Sequence, residues 1–211
     1  MLHLFKLTFI AFVILVLGIM LAPPEYSYAN SFFQVLALYL WSYFGHILAH
    51  KLAHVYPSDI LNTHIFIHHD TTDKYSRTLN LASETLNNFM GFYIILIIQF
   101  LLGITLFSTK IVLFSALSYI FVHIGYYSLF KNNYHIQHHK TPEFNYSPEL
   151  LDTIFQTKYN HDYTNDLSVG AELLPIIAAF IIVSLSAKLF SGKGDGSILV
   201  SGAGACLLLN Q

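Results

Sequence analysis

FMGFYIILIIQFLLGITLFSTKIVLFSALSYIFVHIGYYSLF, residues 89–130, contains one lysine and no other Lys, Arg, Asp or Glu. A helix needs about 20 apolar residues to cross a bilayer. Phe89–Phe107 and Ile111–Phe130 each supply that length. Only Ser108-Thr109-Lys110 lies between them, so the two runs must fold back on each other as a tight helical hairpin. The hairpin predicts an all-α integral membrane protein, and the composition agrees. Of 211 residues 55% are hydrophobic and 10% charged, against about 25% charged in soluble domains.

Three further runs qualify or nearly do. Leu4–Ala22 is closed by Pro23 and Pro24, a second runs from about Phe32 to Leu48, and a last one spans roughly Leu173 to Phe190. Four to five transmembrane helices are therefore expected. Small residues at cleavage-type spacing in SYA (27–29) raise a signal peptide as the alternative for the first run. Its length and Lys6 favour a retained span, and either form leaves residue 30 on the non-cytoplasmic face. The organisation expected is 1–30 as N-terminal span or signal anchor, 31–170 as a histidine-bearing domain, 171–190 as the last span, and 191–211 as a Gly/Ser-rich tail, interfacial or disordered.

Alternating from residue 30, segments 51–88 and 131–170 fall on the face of the N-terminus. That face carries Lys6, Lys51, Lys74, Arg77, Lys131, Lys140 and Lys158, against Lys110, Lys188 and Lys193 on the other. The positive-inside rule then puts both long segments in the cytoplasm; the membrane expected is the endoplasmic reticulum's or, for a bacterial chain, the cell membrane. A net charge of −2 gives no basic footprint for nucleic acid. One cysteine excludes an internal disulfide framework and a Cys-based zinc site. GKGDG (192–196) lacks the spacing of a phosphate loop.

Twelve histidines outnumber the ten Lys and Arg together, and most are clustered. His46, His50 and His54 recur every four residues in GHILAHKLAH, so they share a helix face. HIFIHH supplies His64, His68 and His69, and HIQHH supplies His135, His138 and His139. His123 lies in the fourth run and His161 in the second long segment. His3 reads as an interfacial or hydrogen-bonded ring. The clusters read otherwise: ionisable groups at spans are costly and mark function, and neutral imidazole is the commonest protein metal ligand. The expectation is a cytoplasmic-side, histidine-rich metal site formed by helix ends and two loops. A single tetrahedral zinc uses four ligands, so the number of rings suggests two metals. HExxH and Glu-x-x-His are absent, which removes the zinc-protease helix and the ferritin-like carboxylate bundle. A nearly all-histidine site with two metals points to iron that activates dioxygen.

The pattern resembles the membrane-bound fatty acid hydroxylase superfamily, which includes sterol desaturases and sphingolipid hydroxylases. The likeness covers roughly residues 35–165. HKLAH matches the first histidine box, with Lys51 after its first histidine, leaving His46 as an extra ring that ligates or supports a ligand. HIFIHH matches the second box, HIQHH the third, and HIGYY around His123 the family's additional histidine. Downstream, NYSPELLDTIFQTKY supplies Asn145, Tyr146, Asp152, Phe155 and Thr157, with Ser147 and Gln156 where glycines are usual. The resemblance implies a metal set of His50, His54, His64, His68, His69, His123, His135, His138 and His139. His46, His161, Glu84, Asn145 and Asp152 are possible ligands or supports of ligands, Glu84 being equally readable as a solvated loop carboxylate. No residue is implied as catalytic apart from the metal site.

The resemblance also implies two Fe2+ ions (zinc may take their place in a purified sample), dioxygen, and a lipid C–H bond as the target of hydroxylation or desaturation in lipid biosynthesis. Electrons are expected in trans, from cytochrome b5 or a ferredoxin-type carrier. Two other readings stay open: a histidine-rich membrane metal transporter and an inactive homologue.

Overall fold

The computed structural model describes residues 2–55, 64, 67, 69, 76–129, 132–160 and 169–191, the side chains of 53–55, 126–129 and 190–191 excepted. Among the described residues every regular element is helical: α1 (Leu2–Met20), α2 (Tyr28–Val55), α3 (Arg77–Leu102), α4 (Thr109–Ile120), a π-helical segment (Phe121–Leu129), α5 (Asn133–Lys140), α6 (Glu149–Ile154) and α7 (Val169–Ser191). Four helices among the described residues are long and apolar enough to cross a membrane: Leu2–Met20, Tyr28–Leu52, Arg77–Leu102 and Val169–Leu189.

The hairpin forms, with shifted bounds. α3 begins at Arg77 rather than Phe89, where the Ser76 hydroxyl caps it by accepting Leu79 N–H. Its inward stripe is Glu84, Asn88, Phe92, Leu96 and Gln99, three or four residues apart as one helix face requires, with Ser83 beside Glu84. Ser83, Glu84 and Asn88 are polar, which is why this stretch reads as loop in the sequence. α3 ends at Gly103, which has a φ of 63°, a left-handed conformation that glycine adopts at no steric cost.

Inside a bilayer, backbone groups must find partners within the protein. At the turn two glutamines supply them. Gln99 Oε1 accepts from Leu106 N–H at 2.8 Å and also from Phe107 N–H. Gln34 of α2 accepts from Ser108 N–H at 2.7 Å, where α4 starts. The expected fourth span is a composite: α-helical to Ile120, π-helical from Phe121 to Leu129.

α4 is the central helix, with Ile111 and Phe114 fully buried. On one side Val35, Leu38, Phe92, Leu96, Ile111, Val112 and Ala116 join α2, α3 and α4. On the other, Ile10, Phe114, Ile176, Ala179 and Val183 join α1, α4 and α7. Outward positions such as Phe12, Phe100, Leu101 and Leu189 are exposed, as lipid-facing side chains should be. Lipid is as apolar as leucine, so close packing and polar contacts must hold such helices together. Gly18 provides one such approach: a Cβ there would meet Val35 Cγ2 at 2.5 Å.

Ion pairs provide another. Lys6 Nζ lies 2.8 Å from Glu172 Oε1 and His3 Nε2 lies 2.7 Å from Glu149 Oε1, tying the start of α1 to α7 and α6. Glu149 also pairs with Lys158 at 2.9 Å. His3 is thus a hydrogen-bonded ring, although its partner is a buried carboxylate of a distant helix. Of the expected tail, 191–211, Ser191 ends α7 and residues 192–211 lie outside the described residues.

Candidate metal centre

The antiparallel order of the helices brings the end of α2, the start of α3, the π-segment and α5 together at one end of the bundle. α2 brings His46 and His50, four residues apart and both buried. His64 and His69 come from the segment between α2 and α3, and His138 from α5. One ring nitrogen from each of His46, His50, His64, His69 and His138 lies within 4.8 Å of the others. His46 and His138 approach through their Nε2 atoms at 3.2 Å, as do His50 and His64.

A second group adjoins the first. Glu84 of α3, His123 of the π-segment and His135 of α5 place one ligand atom each within the same 4.8 Å. Glu84 Oε1 is 3.2 Å from His123 Nε2, and both side chains are fully buried. Glu84 therefore is not a solvated loop carboxylate: α3 begins far enough upstream to carry it into the bundle. π-Helical turns recur at functional sites, and here one carries His123.

α5 serves both groups. Asn132 caps it, its side chain accepting from the N–H groups of Tyr134 and His135. His138 turns into the five-ring group and His135 into the other. His139 sits between them, with Nε2 2.9 Å from His135 Nε2 and its ring stacked on His69 at 4.3 Å. The two groups touch through His46 and His123, whose centroids are 5.9 Å apart.

Two rings are fixed from behind. His138 Nδ1 lies 2.6 Å from the Phe144 carbonyl, and His46 Nδ1 bonds the Tyr146 carbonyl. A carbonyl can only accept, so each Nδ1 carries the proton and each Nε2 keeps its lone pair for a metal. The loop presenting these carbonyls is held by Asp152, which accepts from Tyr134 Oη, Tyr146 N–H, Ser147 N–H and Thr157 Oγ1. Burial pushes Asp152 up to about 6 against the pull of these donors. Asn145 holds the same loop, donating to the Tyr134 carbonyl and accepting from Tyr159 N–H. Neither Asn145 nor Asp152 joins a ligand group; both act through the backbone that aims the rings. The side chains of His54, His68 and His161 lie outside the described residues.

Backbone φ is 57° at Asn145, 61° at Ser147 and 57° at Gln156. Left-handed backbone costs an L-residue about 1–2 kcal/mol, while glycine's extra freedom in the unfolded chain costs about 0.5–1 kcal/mol. The Ser147 hydroxyl has no hydrogen-bond partner among the described residues. Ser147→Gly and Gln156→Gly should therefore each stabilise the protein, by about 0.5–1 kcal/mol, read from thermal unfolding in detergent. A loss of stability at either would mean that its side chain holds the turn.

His69 is held well below 6.5, first by burial and then by His64, His138, His139 and His50 around it. As pH falls through 6.5 the unfolded chain binds a proton at this residue and the folded chain does not, so protonation favours unfolding. The metal-free protein should lose thermal stability as pH falls below 6.5. A midpoint constant from pH 7.5 to 5.5 would contradict a neutral His69 in the folded chain.

Sequence reasoning left His46 beside the first box, whereas the structure places it in the five-ring group. The i,i+4 spacing of HILAH carried that signal equally with HKLAH. It missed the carbonyls of Phe144 and Tyr146, which no residue type announces, and the Tyr119 hydroxyl, 3.4 Å from His46 Nδ1.

Imidazole suits iron, zinc, copper and nickel. Five ring nitrogens in one group and a carboxylate with two rings in the next exceed the four ligands of one tetrahedral zinc. Spanning helices with a buried histidine cluster at their ends define the class: an all-α integral membrane protein with a candidate metal centre. Compared with known proteins, the chain matches no family model, no curated protein and no solved structure.

Proposed function

We propose that the protein is an O2-dependent membrane oxidoreductase with two irons, which hydroxylates or desaturates a lipid C–H bond. The observation that carries this reading is the pair of adjoining buried ligand groups, five rings in one and Glu84, His123 and His135 in the other. The histidine-box pattern supports iron as the metal and a lipid as the substrate. Bound there, two irons would supply dioxygen activation and hydrogen abstraction from an unactivated carbon.

The chain's own residues have three tasks. His46 and His138 present Nε2, with Nδ1–H committed to carbonyls. Glu84 brings a negative charge to the second group, offsetting the charge of a cation there. The burial of His138, His123 and Glu84 keeps bulk water from the centre. Electrons would arrive from a carrier such as cytochrome b5 or a ferredoxin-type protein. On this reading the centre faces the cytoplasm, in the endoplasmic reticulum or a bacterial cell membrane.

Elemental analysis of the purified protein tests the proposal: about two irons per chain, or two metals in iron's place, are expected, and one metal or none overturns it. Glu84→Gln keeps the shape and removes the charge. It should lower the count from about two metals to about one, since a neutral amide is a poor ligand. Retention of both metals would leave Glu84 as a partner of His123 alone.

A further inference from the structure

Tyr119 stands where the two ligand groups meet, and nothing in the proposed function uses it. It lies in the last turn of α4, and His123 follows four residues later in the π-segment. That spacing puts both rings on one face, and they stack at 5.3 Å with 28° between their planes. The Tyr119 hydroxyl oxygen reaches the other way, to 3.4 Å from Nδ1 of His46. One phenol thus touches a ring of the five-ring group and a ring of the group that holds Glu84, His123 and His135.

Hydrogen bonding does not account for this hydroxyl. His46 Nδ1 already gives its proton to the Tyr146 carbonyl. Because that nitrogen carries the hydrogen, Tyr119 Oη can only accept from it, at a length where hydrogen bonds are weak. The phenol's own O–H is not spent there, and it has no other partner among the described residues. A phenylalanine would fill the same space and stack on His123 equally well.

What a phenol adds beside such a centre is a hydrogen atom that is easily removed. A centre able to take hydrogen from an unactivated carbon is more than able to take it from a phenol, whose O–H bond is the weaker. With no lipid in place, the imidazole ligands and Tyr119 are what that oxidant meets.

We infer that Tyr119 is redox-active: when dioxygen reacts at the centre with no lipid bound, this residue supplies one electron and one proton, which spares the ligand rings. The inference rests on the oxygenase reading above. Turning one dioxygen into two waters takes four electrons and four protons. The two ferrous ions give two electrons, Tyr119 one together with its proton, and the external carrier the fourth; solvent gives the other three protons. The phenol O–H bond breaks, an O–H bond forms on the oxygen being reduced, and Tyr119 is left as a neutral phenoxyl radical. Its electron leaves through the His46 and His123 rings that it touches. Tyr146 is the rival donor. Its ring centroid is 5.8 Å from that of His46, 5.5 Å from His50 and 5.6 Å from His138, all within the five-ring group.

The test loads the purified full chain in detergent with two ferrous ions in the absence of oxygen. One further ferrous ion stands in for the carrier as the source of the fourth electron. The sample is mixed with dissolved dioxygen and frozen at intervals for electron paramagnetic resonance. A phenoxyl signal is expected, narrowed when the protein is made with ring-deuterated tyrosine. Tyr119→Phe should bind both irons and lose the signal, whereas Tyr146→Phe should keep it. No phenoxyl signal from the unmodified protein carrying two irons, a signal that persists in Tyr119→Phe, or one lost in Tyr146→Phe alone would each overturn the inference and leave the oxygenase standing. Fewer than two metals per chain would overturn the oxygenase, and this inference with it.

Discussion

On the proposed function, His138→Ala is expected to strip most of the metal from the protein and abolish lipid oxidation. The ring is fully buried and central to the five-ring group, with its centroid 4.8 Å from that of His46, 4.9 Å from His50 and 4.7 Å from His69. Its Nδ1 is tied to the Phe144 carbonyl, so the whole α5 register is set to deliver Nε2. Residues that merely orient a metal ligand cost 10–100-fold in affinity when lost; removal of the ligand itself should exceed about 100-fold. Elemental analysis after gel filtration reads the first effect and product formation the second. Full retention of metal would place the centre elsewhere.

The largest effect on stability should come from Glu149→Ala. Glu149 is buried and meets Lys158 at 2.9 Å and His3 at 2.7 Å, while Lys158 is itself buried. Removing one member of a buried pair strands the other charge, at a cost of about 3–5 kcal/mol. The double variant Glu149→Leu with Lys158→Met should recover most of that loss, because it removes both charges and keeps the volume. Denaturant unfolding in detergent micelles reads both. A single-variant loss under about 1 kcal/mol, the range of exposed pairs, would show that solvent reaches the pair.

Helices were the most legible part of the sequence, because the bilayer forces long apolar runs and the hairpin at Ser108–Lys110 leaves no room for anything else. The exception, Arg77–Asn88, explains the rule. Its inward face is Ser83, Glu84 and Asn88, and a face chosen for its polar groups gives no apolar period to read. For that reason Glu84 was legible only as a possible support or a solvated loop carboxylate, and Asn88 was not legible at all. In the site, histidine spacing marked the rings that converge, since imidazoles have few other reasons to cluster at spans. It did not show how α5 divides its three rings, which depends on the directions of Cβ atoms in a folded helix. Ser147 and Gln156 were visible as departures from the glycines of the resembling family. Their positive φ values show that the turn is kept without the residue that makes it cheap.

The pairing of Lys6 with Glu172 also sets a timetable. Ribosomes add about 5–20 residues per second, so Lys6 enters the membrane on the order of ten seconds before its carboxylate exists. Through that interval α1 can be threaded but not locked, and the second of its tethers, His3 to Glu149, arrives only slightly sooner. The bundle must therefore close last along the seam where the beginning of the chain meets α6 and α7. A chain cut short before Glu149 would leave its first helix in the bilayer with neither carboxylate to hold it.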